Sequence, residues 1–100
     1  MNLILEIRPD ALTDIESASD WYEEKEPGLG SEYIREMRSS IVSLVEGAYH
    51  HPIRYPRLHV RWFSTRRFPY RIVYRIDDKR VIVLAVLHTA RHNRAWRKRV

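Results

Sequence analysis

The sequence predicts one α+β domain, a helical hairpin packed on one face of an antiparallel sheet, in the order β-α-α-β-β-β with a short basic C-terminal tail or helix. A chain of 100 residues is the size of a single domain, here spanning residues 1–100. Apolar residues recur at helical spacing in the first half and alternate with period two in the second half. Helices grouped before a run of strands favour a hairpin layered on a sheet.

The first half predicts a strand and two helices. Residues 3–7, Leu-Ile-Leu-Glu-Ile, alternate as a short strand does, and Asp10 is placed to cap the helix that follows. The Pro-Gly-Leu-Gly run at 27–30 separates this helix from a second one, which begins near Ser31 and ends near Gly47. The apolar stripes are Ala11, Ile15, Ala18 and Tyr22 on the first helix, and Ile34, Met37, Ile41, Leu44 and Val45 on the second. Because the break is short, the two helices are expected to be antiparallel neighbours.

The second half predicts a loop followed by three strands. Pro52 and Pro56 indicate a loop over residues 49–58. Pro69 cannot donate to a strand ladder, so it is expected at a bulge or a strand start. The strands are predicted over residues 60–66, 70–77 and 80–87. The sequence does not fix the neighbour of the first strand, and both a short helix and a loose tail fit the residues from Arg91 onward.

A tight turn at residues 77–80 sets the register of the last two strands. It pairs Asp77 with Arg80, so that paired residue numbers sum to 157. One face is then predicted to hold Arg71, Val73, Arg75, Ile82, Leu84, Val86 and His88, and the other Tyr70, Ile72, Tyr74, Ile76, Val83, Ala85 and Leu87. The second set is uniformly apolar and aromatic, so we expect it under the helices. The first set is expected to form an exposed, ligand-facing surface where arginines lie beside apolar residues.

Charge is divided unevenly along the chain. Residues 1–50 carry four basic and eleven acidic side chains, whereas residues 51–100 carry fourteen basic and two acidic ones. The halves therefore have net charges of −7 and +12, which agree with the total of +5. Attraction between the halves explains part of this asymmetry, but −7 cannot neutralise +12. A basic surface that binds a polyanionic partner is therefore predicted.

Several classes of protein are disfavoured by composition. There are no cysteines, so neither disulfides nor thiolate chemistry is expected. Nothing resembles a signal peptide or a membrane span, which predicts a cytoplasmic protein with no membrane partner. His50 and His51 are adjacent and lack other spaced ligands, so they are expected in a surface loop and not at a metal. No cofactor is predicted.

Four stretches of the sequence resemble the RelE/ParE toxin superfamily of bacterial type II toxin–antitoxin systems. They are Ala-Leu-Thr-Asp-Ile at 11–15, Trp21-Tyr22 with the Pro-Gly-Leu-Gly run, Arg-Phe-Pro-Tyr-Arg-Ile-Val-Tyr-Arg at 67–75, and Val-Leu-Ala-Val-Leu-His-Thr-Ala-Arg at 83–91. Each is weak alone, but they occur in the family's order and cover nearly the whole chain. The resemblance implies the same β-α-α-β-β-β fold. It also implies growth arrest that a cognate antitoxin prevents, its C-terminal segment wrapping the toxin.

The resemblance implies one of two targets. RelE-like members cleave messenger RNA in the ribosomal A site, and ParE-like members poison DNA gyrase. On the RelE-like reading, Arg71 supports the scissile phosphate while His88 and Arg91 occupy catalytic positions. The chain lacks two RelE-like features, since residues 61–65 contain no lysine and the last tyrosine is Tyr74. A gyrase poison is therefore favoured over a ribonuclease, and whether the chain is an enzyme stays open.

Other basic residues are predicted to contact the target or a nucleic acid. They are Arg61, Arg66, Arg67, Arg75, Arg94 and Arg97, together with Trp96. Trp96 has two interpretations, stacking on a base or packing the tail onto the sheet, of which packing is slightly favoured. His88 likewise has an alternative role as a strand-end histidine bonded to backbone. A third hypothesis is a non-toxic relative that binds nucleic acid through the basic sheet face.

Overall fold

The computed structural model describes residues 3–90 and 93–100, with side chains omitted for 93–95. Two helices, α1 (Pro9–Lys25) and α2 (Leu29–Gly47), pack on one face of a five-stranded sheet. The strands are β1 (Ile4–Ile7), β2 (Ile53–Tyr55), β3 (Val60–Ser64), β4 (Tyr70–Asp77) and β5 (Arg80–His88), in the order β1-β5-β4-β3-β2. Because β1 pairs with β5 in parallel, the sheet is mixed and not purely antiparallel. The predicted α+β fold class is confirmed.

The helical hairpin has the predicted stripes, but its ends differ. Ala11 and Ile15 of α1 are buried, as are Met37, Ile41 and Leu44 of α2. The cap of α1 is Arg8 and not Asp10, because Pro9 occupies the first helical turn. Helix α2 begins at Leu29, two residues earlier than predicted. Its N-terminus is held by Glu23 of α1, whose carboxylate accepts the backbone N–H groups of Gly28 and Gly30 at 2.9 and 3.0 Å.

The interval predicted as a loop contains a short edge strand, so that prediction was wrong in part. Strand β2 spans only three residues and pairs with β3 through Ile53–Arg61 and Tyr55–Val60. Pro52 and Pro56 flank it directly and limit its length, because neither can donate to a ladder. Pro69 immediately precedes β4, in agreement with the prediction that it marks a strand start.

A β-bulge in β5 changes the predicted faces of that strand. The predicted register holds from Asp77–Arg80 to Tyr74–Val83, but Val73 then pairs with Ala85 and leaves Leu84 without a partner on β4. Every residue after the bulge is therefore shifted by one. The helix side of the sheet gains Val86, whereas Ala85 and Leu87 lie on the opposite side, which we call the far face.

The far face is covered by the C-terminal segment and is not exposed as predicted. A 3₁₀ helix over Asn93–Arg99 brings Trp96 against the sheet, where its side chain is 1% exposed. It packs with Val60, Val73, Ile82, Leu84, Ala85 and Leu87. The prediction that Ile82, Leu84 and Val86 are exposed is wrong, since each is at most 5% exposed. Burial of one tryptophan of this kind contributes about 3–5 kcal/mol, enough to hold the segment in place.

Candidate functional site

The two predicted catalytic residues that the structure describes, Arg71 and His88, lie on opposite faces of the sheet. Arg71 pairs with Leu87 on the far face, whereas His88 pairs with Tyr70 on the helix side. The predicted convergence of His88 with Arg71 and Arg75 is therefore wrong, and the cause is the bulge at Leu84. The third predicted catalytic residue, Arg91, lies outside the described residues.

His88 lies at the mouth of an aromatic pocket beneath α1. The pocket has a volume of about 510 Å³ and is lined by Asp14, Ser17, Ala18, Trp21, Tyr22, Tyr70, Val86, Leu87 and His88. The imidazole is edge-on to the Tyr70 ring at 5.3 Å, and its Nδ1 accepts the backbone N–H of Ala90 at 3.0 Å. Because this bond fixes the turn that follows β5, the histidine has a structural role consistent with its alternative interpretation.

The far face carries a rim of arginines stacked on aromatic rings. The guanidinium of Arg54 lies 5.9 Å from the Trp62 ring, and that of Arg97 lies 4.9 Å from the Tyr55 ring. Arg71 is half-buried on the same face. We call Arg54, Arg71 and Arg97 the far-face basic surface. Cation–π contacts restrict the two outer guanidinium groups without neutralising them, so the surface keeps its positive charge.

Of the residues predicted to contact a target on this face, Trp96 is fully buried and Arg75 is half-buried. Trp96 is too buried to stack on a base, which confirms the interpretation that it packs the tail onto the sheet. Arg75 is half-buried, and its Nε is enclosed without a hydrogen-bond partner among the described residues. The side chain of Arg94 lies outside the described part of the chain.

Arg61 and Arg67 have structural partners, whereas Arg66 has none among the described residues. Arg61 donates hydrogen bonds to the carbonyls of Tyr49 and His51, at 3.3 and 2.5 Å, and so fixes the segment before β2. Arg67 forms a 3.1 Å ion pair with Glu32 of α2. Arg66 is exposed and makes no ion pair or hydrogen bond with the residues that the structure describes.

A second basic feature, the α2–β3 groove, lies on the helix side of the sheet. It encloses about 630 Å³ between α2 and β3, and its walls include Arg35, Ser39, Ser43, Phe63 and Arg66. Sequence reasoning missed Arg35 because it belongs to the acidic half. The available signal was the spacing of Arg35, Ser39 and Ser43, which lie one helical turn apart on one face.

His51 forms one end of the α2–β3 groove. Its imidazole stacks on the Phe63 ring at 4.4 Å with an angle of 9° between the planes. Partial burial lowers the pKa of His51, and the nearby His50, Arg54 and Arg61 lower it further. The ring is therefore neutral at pH 7 and contributes an aromatic surface. Within the described residues, no three His, Asp or Glu side chains gather as a metal site.

The α+β fold is the one that the sequence's resemblance to the RelE/ParE toxin superfamily implies. The model of the family described as ParE toxin of the type II toxin–antitoxin system parDE matches residues 5–93. This match covers most of the chain, and the protein therefore belongs to the ParE toxin family.

Comparison with solved structures supports the same fold. The chain is similar to a chain of the chromosomal ParDE toxin–antitoxin system from P. aeruginosa, with a TM-score of 0.76 and 19% sequence identity. The match covers 86% of this chain and 95% of the other. No curated protein matches significantly. In the described ranges, 3–90 and 93–100, no helix is long and apolar enough to cross a bilayer.

Proposed function

We propose that this ParE-family chain is a toxin that arrests growth by binding and poisoning DNA gyrase, and that a cognate antitoxin neutralises it. Membership of the ParE family supports a toxin of this branch. The P. aeruginosa structure, which is named as a ParDE system, supports an antitoxin partner. The open question is whether the toxin acts by binding or by cleaving RNA.

The separation of Arg71 from His88 carries the proposal. Metal-independent RNA cleavage needs a general acid or base within about 3 Å of the oxygen that it serves, and cations around the same phosphate. Side chains on opposite faces of a sheet point away from each other. Arg71 and His88 therefore cannot act on one phosphate, which favours a toxin that works by binding.

The far-face basic surface is the surface that we assign to target contact. Arg54 and Arg97 are held in place by aromatic rings, and Arg71 lies on the same face. Preordered cations reduce the entropy that is lost when an anionic surface binds. A complex that depends on such contacts is expected to weaken steeply as salt concentration rises.

A gyrase supercoiling assay with charge-reversed variants tests this assignment. We expect the purified chain to inhibit supercoiling, and Arg71→Glu with Arg97→Glu to weaken inhibition by at least about tenfold, because like charges then face the target. Lys79→Glu with Arg38→Glu is the matched control, since both side chains are exposed, in the β4–β5 turn and on α2, away from this surface. If the control variant loses inhibition of supercoiling to the same extent, the far-face basic surface is not the contact site. A chain that causes no growth arrest when it is expressed without its antitoxin would contradict toxicity itself.

His88 provides an independent test of the mechanism. His88→Ala removes the acceptor of the Ala90 N–H and is expected to cost about 1 kcal/mol of stability, while toxicity is weakened but retained. His88→Asn is the matched control, because its amide oxygen replaces Nδ1 but it cannot transfer protons near neutral pH. Both variants are followed by growth arrest and by thermal unfolding. Complete loss of toxicity in a folded His88→Asn protein would favour the ribonuclease mechanism instead.

A further inference from the structure

We propose that the α2–β3 groove binds an acidic, partly apolar segment of a partner protein, which adds a strand to the open edge of β3. The inference rests on the proposed function only in taking this partner to be the antitoxin. Three features carry it: an unpaired backbone edge, an excess of free positive charge and an apolar floor.

Beyond Arg61, no described residue pairs with the outer edge of β3. The backbone N–H of Thr65 donates to the Tyr70 carbonyl at 2.8 Å, so Thr65 faces β4. Hydrogen-bonding direction alternates along an antiparallel strand, so Trp62 and Ser64 direct their N–H and C=O groups away from β4. The pairing with β2 reaches only to Arg61. Ser64 is exposed. A row of such groups is a template for an added strand.

One of these outward-facing backbone groups, the Trp62 carbonyl, already has a hydrogen-bond partner, the side chain of Arg54. The Trp62 carbonyl accepts a hydrogen bond from Nε of Arg54 at 3.5 Å, a distance at the weak limit. This contact confirms that the backbone of Trp62 points outward. A bound strand can replace it with a shorter bond to a backbone N–H.

Both acids of the α2–β3 groove have partners within the fold, whereas two of its three arginines have no ion pair or hydrogen bond within the described residues. Glu36 accepts the backbone N–H groups of Arg67 and Phe68, both at 3.0 Å, and Glu32 is paired with Arg67. Arg35 and Arg66 are exposed and have no ion pair or hydrogen bond within the described residues. Glu36 keeps its negative charge because its partners are neutral amides, so the three arginines and two glutamates of the lining carry a net charge of +1. This net charge favours an acidic segment over a basic one.

The floor of the groove suits the apolar side chains of such a segment. It contains the Phe63 ring, stacked on the neutral imidazole of His51, and the side chain of Leu44. Side chains of an added strand alternate between two faces, so every second residue points into the groove. A segment that alternates acidic and apolar residues fits both the floor and the arginines.

A direct test titrates the full isotopically labelled chain with a synthetic peptide that alternates glutamate with valine. We expect the amide resonances of Trp62 and Ser64 to shift, and binding to fall by at least about tenfold in the Arg35→Glu/Arg66→Glu variant, since like charges then face the peptide. The matched control is Arg38→Glu/Arg57→Glu, which reverses two exposed arginines outside the groove and should leave binding nearly unchanged.

A second peptide isolates strand addition without altering the protein. It has the same sequence with alternate backbone amides N-methylated, so it keeps its charge but cannot form the ladder. Loss of binding supports strand addition, and equal binding overturns it. Equal weakening by the control arginine pair, or no shifts at millimolar peptide, also overturns the inference. If gyrase is inhibited while the peptide fails to bind, the groove inference fails and the proposed function stands. If the peptide binds but the chain is not toxic, the groove inference stands and the proposed function fails.

Discussion

The partly buried ion pair between Asp14 and Arg99 is expected to be a large single contribution to stability. Asp14, on α1, receives Arg99 Nη1 at 2.7 Å and Nη2 at 3.3 Å, together with the backbone N–H of Val86 at 3.0 Å. The same Nη1 donates to the carbonyl of the bulged Leu84 at 2.9 Å. The pair therefore provides hydrogen-bond partners for the Val86 N–H and the Leu84 carbonyl of β5, beyond the point where the neighbouring strand β1 ends. It also connects the C-terminal 3₁₀ helix to α1.

The loss of unfolding free energy expected for Asp14→Ala follows from the burial of the pair and from the number of hydrogen bonds removed. The side chains of Asp14 and Arg99 are only 16% and 18% exposed, so water replaces the lost contacts incompletely. Asp14→Ala removes both guanidinium contacts to the carboxylate and leaves the Val86 N–H without its acceptor, whereas Arg99 keeps the Leu84 carbonyl and Asp10, 3.6 Å away. Each hydrogen bond to a charged group contributes about 1.5–3 kcal/mol. Allowing for partial rescue by solvent, we expect a loss of about 3 kcal/mol. For a domain of this size, each kcal/mol lowers Tm by about 4–8 °C.

Urea unfolding of matched variants measures this contribution. Glu6→Ala is the control, because Glu6 pairs with Arg80 at a similar 3.0 Å but the side chains are 35% and 48% exposed. Exposed pairs of this kind contribute about 0–1 kcal/mol. A double-mutant cycle with Arg99→Met isolates the pairwise part, expected at about 1–3 kcal/mol. If Asp14→Ala costs no more than Glu6→Ala, the reasoning from burial is refuted.

Three further predictions concern the contact between the helices, the Tyr74 hydroxyl and the titration of His51. Gly30→Ala should cost about 1–3 kcal/mol in urea unfolding, because its Cβ would lie 2.6 Å from the Ser19 carbonyl where the helices cross; an unchanged midpoint would contradict this. Tyr74→Phe should cost about 1 kcal/mol, since the hydroxyl donates to the Ala48 carbonyl at 2.6 Å, and a neutral result would show that water satisfies that carbonyl. Because the folded-state pKa of His51 is lowered, the unfolded chain binds the proton more readily, and stability should fall as pH drops below about 6.5. His51→Gln should reduce that dependence, and the control His59→Gln should not, because the exposed His59 is not among the groups that lower the pKa of His51. Chemical unfolding at several pH values measures both.

The elements that follow a simple period were predictable from sequence. The two helical stripes and the alternation of Tyr70, Ile72 and Tyr74 correctly identify the surfaces that form the core. Each element combines a clear period with a polar opposite face, so only one orientation buries its apolar side chains.

The bulge in β5 and the position of His88 were not predictable in the same way. Residues 81–87 are apolar throughout, so either set of alternate side chains can face the helices, and the pattern contains no trace of the extra residue at Leu84. Because the predicted register omits this residue, it places His88 on the wrong face of the sheet. The predicted grouping of His88 with Arg71 depends on that register and is therefore wrong. Strand β2 was not predicted because the prolines on either side of it indicate a loop. Arg35 was not predicted as a site residue because it belongs to the acidic half of the sequence.

The central claim is that this toxin acts on gyrase by binding and does not cleave RNA. The most direct measurement incubates the purified chain with gyrase and supercoiled or relaxed DNA, and in parallel with translating ribosomes whose messages are then mapped. The account predicts inhibited supercoiling and intact messages, with the inhibition kept in the His88→Asn variant. Fully active gyrase, together with messages cut in codon register, would contradict it.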